Sequence, residues 1–168
     1  MFFSYKMKRL FTGLLIIFLA ILCGCGTNNT QMIEQAKSIQ VLNDTIDSDI
    51  TNLVSLYRNS NTSLNEIKSS SDTITTIDDN IRELKGKLTS FNDEYDDKLE
   101  FDSKMFEQYE EIISDLEEWK DELIDNYGDD SDLAGSYRIS LNSNQAIIIS
   151  DRQKVIEMYK PDYQSIIE

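Results

Sequence analysis

Apolar residues recur along most of the chain at the spacing that long, packed α-helices require. When Ile39 is placed at position a of a seven-residue repeat, 11 of the 13 a positions and 8 of the 13 d positions up to residue 126 are apolar or aromatic. The chain as a whole is 40% hydrophobic, so these positions are strongly enriched. A sustained repeat of this kind, with charged residues between the apolar positions, is typical of coiled coils and long helical bundles.

The first interruption of the repeat predicts a turn between two helices. Ser60 and Ser63 occupy neighbouring a and d positions inside 59–63, a stretch of Asn, Ser and Thr residues that favour turns. Ser63 and Glu66 fit a capping box, in which the side chain of each accepts a hydrogen bond from the backbone of the other. We therefore expect a first helix over 31–58 and a second one that begins at residue 64.

The second interruption, at Lys98 and Asp102, allows two interpretations. No glycine, proline or asparagine occurs between these residues, and the heptad phase is the same on both sides, which slightly favours one continuous helix over 64–126. Apolar residues nevertheless leave the repeat here, at Leu99, Phe101 and Phe106. The alternative is a pair of helices joined by a tight turn that Asp102 caps.

The clearest loop lies between Gly128 and Ser136, where Gly128 suits the position just after a helix and Ser136 could cap the next one. A last helix is expected over 137–160, ended by Pro161. Its apolar residues at helical spacing are Tyr137, Leu141, Ile148, Val155 and Tyr159. The apolar run 146–149 could instead form a buried strand, but a single strand without a partner is disfavoured.

These patterns predict an all-α fold, an elongated antiparallel helical bundle that resembles a coiled coil and has three to four helices. The large side chains on the repeat are predicted core residues, namely Phe91, Tyr95, Met105, Tyr109 and Trp119. The first and last helices could cover the long central stripe, or a second chain could do so. A homo-oligomer is therefore an open alternative.

The amino-terminal segment has the layout of a secretory signal. Lys6, Lys8 and Arg9 form a basic region, and a mostly apolar stretch from Leu10 to Leu22 follows. A helix that spans a bilayer needs about 20 apolar residues, so this stretch is short for a permanent span.

The end of that stretch, Leu22-Cys23-Gly24-Cys25, resembles the lipobox of bacterial lipoproteins. Leu22 and Gly24 match the pattern at three residues and one residue before Cys25, whereas Cys23 is atypical at the middle position. The resemblance implies cleavage between Gly24 and Cys25 and a thioether-linked diacylglycerol on Cys25. Two acyl chains are sufficient for stable anchoring. An uncleaved signal anchor is the alternative.

This processing would divide the chain into a signal peptide (1–24), the lipidated cysteine with a polar tether (25–31) and a helical bundle domain (32–168). Removing 1–24 leaves 168 − 24 = 144 residues with 16 − 3 = 13 basic and 31 acidic side chains, a net charge of −18. The implied location is the extracytoplasmic face of the cell membrane, with membrane lipid reached through Cys25.

The inventory of reactive side chains argues against an enzyme. The chain has no histidine, and its two cysteines lie at positions 23 and 25, so histidine-based triads, HExxH zinc sites and a thiolate nucleophile in the bundle are excluded. Asp125, Asp129, Asp130 and Asp132 lack the spacing of a calcium loop. We expect no cofactor and no bound metal, and the acidic balance argues against a nucleic-acid partner.

Carboxylates are the remaining side chains that could carry a chemical function. They are densest between residues 110 and 125, mostly off the apolar stripe, which is typical of a solvated helix face. The functional interpretation is a docking face for a cationic protein, with Glu110, Glu111, Glu117 and Glu118 as its candidate residues.

The combined expectation is a membrane-anchored lipoprotein whose helical body binds or scaffolds an unidentified protein without catalysis. The first alternative is a cell-wall-binding lipoprotein, because small helical lipoproteins of Gram-positive bacteria with that description look similar in layout. The remaining alternatives are a surface-exclusion protein and a hydrolase that uses carboxylates alone.

Overall fold

The protein is an all-α bundle, as the sequence predicts. The structure is a computed structural model that describes the backbone of residues 3–126 and 132–168 and the side chains of residues 29–126 and 136–168. The described residues contain no strand. The helices are α1 (Phe3–Arg58), α2 (Leu64–Tyr95), α3 (Ser103–Asn126), α4 (Asp132–Tyr159) and the short α5 (Gln164–Ile167).

Successive long helices run antiparallel. The contacts that fix these directions are Tyr57 with Ser70 and Gln35 with Glu94 for α1 and α2, and Trp119 with Asn142 and Asp115 with Arg152 for α3 and α4. Helices α1 and α3 run parallel, since Asn43 and Tyr57 contact Tyr109 and Trp119 in the same order along both helices. The order is therefore up, down, up, down around one core.

The turn predicted at 59–63 is confirmed, together with its capping box. Helix α1 ends at Arg58, and Ser63 is the residue that caps α2. The Ser63 backbone N–H donates to Glu66 Oε2 at 2.7 Å, and the Glu66 backbone N–H donates to Ser63 Oγ at 3.3 Å. These bonds satisfy two of the donors that a helix start leaves unpaired.

The chain breaks between α2 and α3, so the interpretation of one continuous helix is wrong. Asp96 and Asp97 both adopt the left-handed conformation, with φ of 56°, which aspartate tolerates better than most residues. The Asn92 side chain bonds both backbone groups of Leu99, at 2.8 and 2.9 Å, and thereby replaces helical partners. Asp102 Oδ1 accepts from the Lys104 backbone N–H at 2.9 Å, so the alternative of a turn capped by Asp102 is confirmed.

The apolar repeat is buried in α2 and α3 in the predicted register. The buried residues there include Ile74, Ile77, Ile81, Leu84, Leu88, Phe91, Met105, Tyr109, Ile112, Leu116, Trp119 and Leu123. Tyr95, another predicted core residue, is only half-buried. In α1 the a positions are buried, but Leu42 and Leu56 at d are half-buried, and the e positions Asn43, Ile50 and Tyr57 are buried instead. The buried face of α1 is rotated because this helix contacts α3, α4 and α5 as well as α2.

Helix α4 differs from its prediction in its start and in its buried face. It begins at Asp132 rather than at residue 137, so Ser136 lies within the helix and does not cap it. The buried residues are Leu141, Ala146, Ile149 and Ile156. Of the residues assigned to the core, Tyr137 and Ile148 are exposed, and Val155 and Tyr159 are half-buried. The run 146–149 is helical, which excludes the buried strand, and the helix ends at Tyr159, ahead of Pro161 as expected.

Helix α1 begins at Phe3, well before the expected residue 31, and its backbone is helical across 26–31, where a flexible tether was expected. Gly24 and Cys25, with the rest of the proposed signal, belong to the segment whose side chains are not described, and Gly128, Asp129 and Asp130 lie outside the described residues. The division into signal, tether and bundle stays a prediction. Within the described part of the chain, no helix combines the length and hydropathy needed to cross a membrane.

Candidate docking faces

The four glutamates proposed as a docking face are all exposed on the outer side of α3. Glu110 and Glu117 occupy position b of the repeat, and Glu111 and Glu118 occupy position c, so they form one strip along the helix. Helix α3 contains nine acidic and two basic residues, a net charge of 2 − 9 = −7. Close to half of the net charge of −15 therefore lies on one helix.

The core side of α3 is what directs these carboxylates to solvent. Met105, Tyr109, Ile112, Leu116 and Trp119 are all fully buried on the opposite side. Each large apolar side chain contributes about 1.5–3 kcal/mol when it leaves water, which outweighs the mutual repulsion of surface carboxylates. The rotation of α3 is thereby fixed, and the acidic strip has no alternative orientation.

One of the four glutamates is already engaged inside the bundle. Arg152 of α4 pairs with Glu111, and its Nε donates to Asp115 Oδ2 at 2.6 Å. Gln108 Oε1 accepts a further bond from Arg152 at 3.4 Å. Glu111 therefore helps to join α3 to α4, and sequence reasoning missed this because its partner lies far along the chain.

The remaining strip consists of Glu110, Glu117 and Glu118, which we call the α3 acidic strip. None of the three forms an ion pair with any residue that the structure describes. Asp121, one turn further on, is close to Lys120 at 3.4 Å. The α3 acidic strip is therefore a row of uncompensated negative charge in contact with water, on a helix whose backbone the core holds in place.

The outer side of α4 has the opposite character. Ile147 is 59% exposed and Met158 is 69% exposed, and Tyr137 and Ile148 are also exposed on this helix. Helix α4 carries three acidic and three basic residues, so its net charge is zero. The apolar repeat does not predict this surface. The signal was present in the three consecutive isoleucines 147–149, which must point to different sides of any helix.

A buried polar cluster links α1, α3 and the carboxyl-terminal segment. Tyr109 Oη donates to Asp47 Oδ1 at 2.8 Å, and Asn43 Nδ2 donates to Asp47 Oδ2 at 3.1 Å. Tyr163 Oη donates to Asn43 Oδ1 at 3.2 Å. The four side chains satisfy one another, as buried polar groups must.

Burial sets the titration behaviour of this cluster. Loss of water raises the pKa of Asp47, and the hydrogen bond from Tyr109 only partly offsets this. Burial also raises the pKa of Tyr109, and the neighbouring Asp47 charge raises it further. The pKa of Tyr163 is raised chiefly by burial and then by Asp44 and Asp47. The phenols therefore stay protonated and act as donors that hold the helices together.

Grooves on the surface are small and lack an obvious reactive set. A groove of about 450 Å³ lies between α1 and α2, lined in part by Ile39, Gly86 and Phe91. Another of about 510 Å³ lies beside the α2–α3 break and includes Glu100 and Asp102, of which Asp102 is already the cap of α3. Among the described residues, no group of three His, Cys, Asp or Glu side chains is placed to hold a metal ion.

Comparison of the chain with protein-family models, with curated proteins and with solved structures finds no match. Function is therefore inferred from the two helix faces themselves.

Proposed function

We propose that this protein is a lipid-anchored, extracytoplasmic membrane protein that binds a basic protein partner through the α3 acidic strip, without catalytic turnover. The observation that carries the proposal is the row of Glu110, Glu117 and Glu118, unpaired among the described residues and held in place by a fully buried core side. Because the core fixes the α3 backbone, a partner does not have to order the main chain when it docks, which favours binding.

The anchor is supported by the lipobox resemblance at Leu22–Cys25 and by the basic and apolar residues that precede it. Lipid on Cys25 would place the bundle close to the extracytoplasmic surface of the cell membrane. Cys25→Ser should release the protein from membranes or leave an unprocessed precursor, whereas Cys23→Ser should change neither. Mature, membrane-bound Cys25→Ser protein would overturn this part of the proposal.

Electrostatics determine which partner suits the strip. A surface of this charge attracts a basic protein at long range and repels anionic wall polymers and nucleic acid. The interaction should weaken as salt increases, because the Debye length falls from about 10 Å at 0.1 M to about 3 Å at 1 M. The negative charge of the strip therefore favours a basic protein partner over direct binding to an anionic cell wall.

The test is crosslinking on intact cells followed by affinity purification of this protein. Replacing Glu117 and Glu118 together by lysine should remove the captured partner. The matched control replaces Asp72 and Asp93 on α2, which are also exposed, by lysine and makes the same change in net charge. The control should retain the partner if the position of the charge matters.

Three outcomes would contradict the proposal. If both double variants lose the partner equally, total charge rather than the α3 acidic strip is responsible. If neither variant loses a partner, the strip is only a solvated surface. Hydrolysis of wall glycan by the purified protein would replace a binding function with an enzymatic one.

A further inference from the structure

The outer side of α4 exposes apolar side chains that nothing in the described bundle covers. We define the α4 apolar face as the exposed Tyr137, Ile147, Ile148 and Met158 together with the half-buried Val155. At 3.6 residues per turn these five positions fall within an arc of about 100°. The face extends from residue 137 to residue 158, a length of about 32 Å. We propose that this face packs against the same face of a second copy of the chain, with the two α4 helices antiparallel.

The exposure of these residues is not explained by the fold of a single chain. The core of α4 is supplied by Ile149 and Ile156, which are fully buried, and it does not need a second apolar side. Exposed apolar side chains that recur along one side of a helix mark a candidate interaction site. Leucine-sized side chains at this density leave water when a second helix covers them, which is the main driving force for association.

The distribution of charge determines which side of the chain a second copy can use. Two copies of a chain with a net charge of −15 repel one another over most of their surfaces. Helix α3 carries −7, and α2 carries four basic and seven acidic residues, or −3. Helix α4 carries no net charge, so it offers a long apolar surface on which two copies can meet without bringing acidic helices together.

The order of residues along the face favours antiparallel packing. A two-fold axis between Ile147 and Ile148 places Ile147 of one copy opposite Ile148 of the other copy. The same axis places Tyr137 opposite Met158, a favourable aromatic–sulfur contact. Such an interface is isologous, since each contact occurs twice.

The polar residues within the face fit the same arrangement. The two-fold axis places Asn144 opposite Asp151, and both are exposed. Asp151 already pairs with Lys154 of its own helix at 2.8 Å, and its carboxylate can accept a further hydrogen bond from the Asn144 amide of the other copy. Parallel packing would instead place the two Asp151 residues opposite each other, so that neither could accept from Asn144 of the other copy.

The orientation also has a consequence for the membrane. Antiparallel α4 helices place the amino ends of the two α1 helices at opposite ends of the dimer. If both chains are anchored in one membrane by Cys25, the dimer lies along the membrane surface rather than upright.

The test measures the mass of the full-length mature protein by sedimentation velocity at micromolar concentration. We expect the wild-type chain to sediment as a dimer and the Ile147→Lys/Ile148→Lys variant as a monomer. The matched control is Thr75→Lys/Thr76→Lys on α2, where both residues are exposed, and it should remain dimeric. Circular dichroism establishes that each variant retains its helices, and if the isoleucine variant unfolds, Met158→Lys serves in its place.

Orientation is tested with a photoreactive benzoylphenylalanine at position 137. The crosslinked dimer should join this position to the region of Met158 in the other copy. A monomeric wild-type chain would overturn the proposal. A crosslink between the two positions 137 would overturn the antiparallel arrangement.

Discussion

Helices α3 and α4 are neighbours of similar length, yet their sequences specify their orientation to very different degrees. In α3 most positions outside the core are charged, so only one side of the helix can be buried. In α4, apolar residues such as Ile148, Ile149, Val155 and Ile156 lie on adjacent sides. The pattern of α3 therefore selects one face, whereas that of α4 is compatible with several. Five large apolar side chains of α4 are exposed, namely Tyr137, Ile139, Ile147, Ile148 and Met158, whereas α3 exposes none.

The largest expected effect is the difference in the free energy of unfolding between a substitution at a buried residue of α3 and one at an exposed residue of α4. Leu116→Asp buries an unpaired charge at a fully buried position and should destabilise the bundle by about 4 kcal/mol or more. Ile148→Asp, at a position that is 41% exposed, should cost less than about 1 kcal/mol. Urea denaturation of the dilute protein measures both.

Equal losses of unfolding free energy in the two variants would contradict this difference between α3 and α4. If Ile148→Asp unfolded the protein as Leu116→Asp does, the side of α4 that carries Ile148 would belong to the core. The original assignment of Ile148 to the buried stripe would then be right.

The next effect concerns the ion pair that joins the two helices. Arg152→Ala leaves the Asp115 carboxylate, only 18% exposed, without its partner and should lower the free energy of unfolding by about 1–3 kcal/mol. Arg82→Ala on α2 is the control, because Arg82 is 69% exposed and such pairs contribute about 0–1 kcal/mol. Equal effects in chemical denaturation would mean that the α3–α4 pair is no more than a surface contact.

Alkaline pH tests the buried polar side of α3. Because the pKa of Tyr109 is raised in the folded state, the folded protein retains a proton there that the unfolded chain loses above about pH 10. The stability from this group is complete below pH 10 and falls as pH rises further, by up to about 1.4 kcal/mol per pH unit. Tyr109→Phe should flatten this slope, and an unchanged slope in denaturation series at pH 10–11.5 would show that Tyr109 is not its source.

The smallest effect compares single charges on the two helices. Glu118 has acidic neighbours three and four residues away, Asp115, Asp121 and Glu122, so Glu118→Gln should raise the free energy of unfolding by about 0.3 kcal/mol. On α4, Glu157 is paired with Lys160, so Glu157→Gln should lower it slightly. Both changes should shrink in 1 M salt. Changes of opposite sign in the unfolding free energy at low salt would support the difference between the two helices, and changes of the same sign would contradict it.

The parts of the fold that could be predicted are those fixed by local sequence. The capping box of Ser63 and Glu66 and the core positions of α2 and α3 depend on residues three, four or seven apart. The break between α2 and α3 depends instead on the Asn92 side chain reaching Leu99, which leaves the heptad phase unchanged. Periodicity alone cannot detect such a break.

The candidate surfaces also divide into features that local sequence predicts and features that depend on distant contacts. The exposure of Glu110, Glu117 and Glu118 followed from the charge pattern of α3 alone. The engagement of Glu111 could not be predicted, because Arg152 is 41 residues away and reaches it only after α3 and α4 pack together. The α4 apolar face was missed because three of its residues, Tyr137, Ile148 and Val155, were assigned to the buried stripe.

The central claim is that α3 and α4 present two separate docking surfaces, one acidic and one apolar. The most direct measurement is quantitative crosslinking on intact cells of two variants, Glu117→Lys/Glu118→Lys and Ile147→Lys/Ile148→Lys, with both the captured foreign protein and the self-adduct counted. We predict that the glutamate variant loses the foreign protein and keeps the self-adduct, and that the isoleucine variant does the reverse. Loss of both adducts, or of neither, in either variant would contradict two independent surfaces.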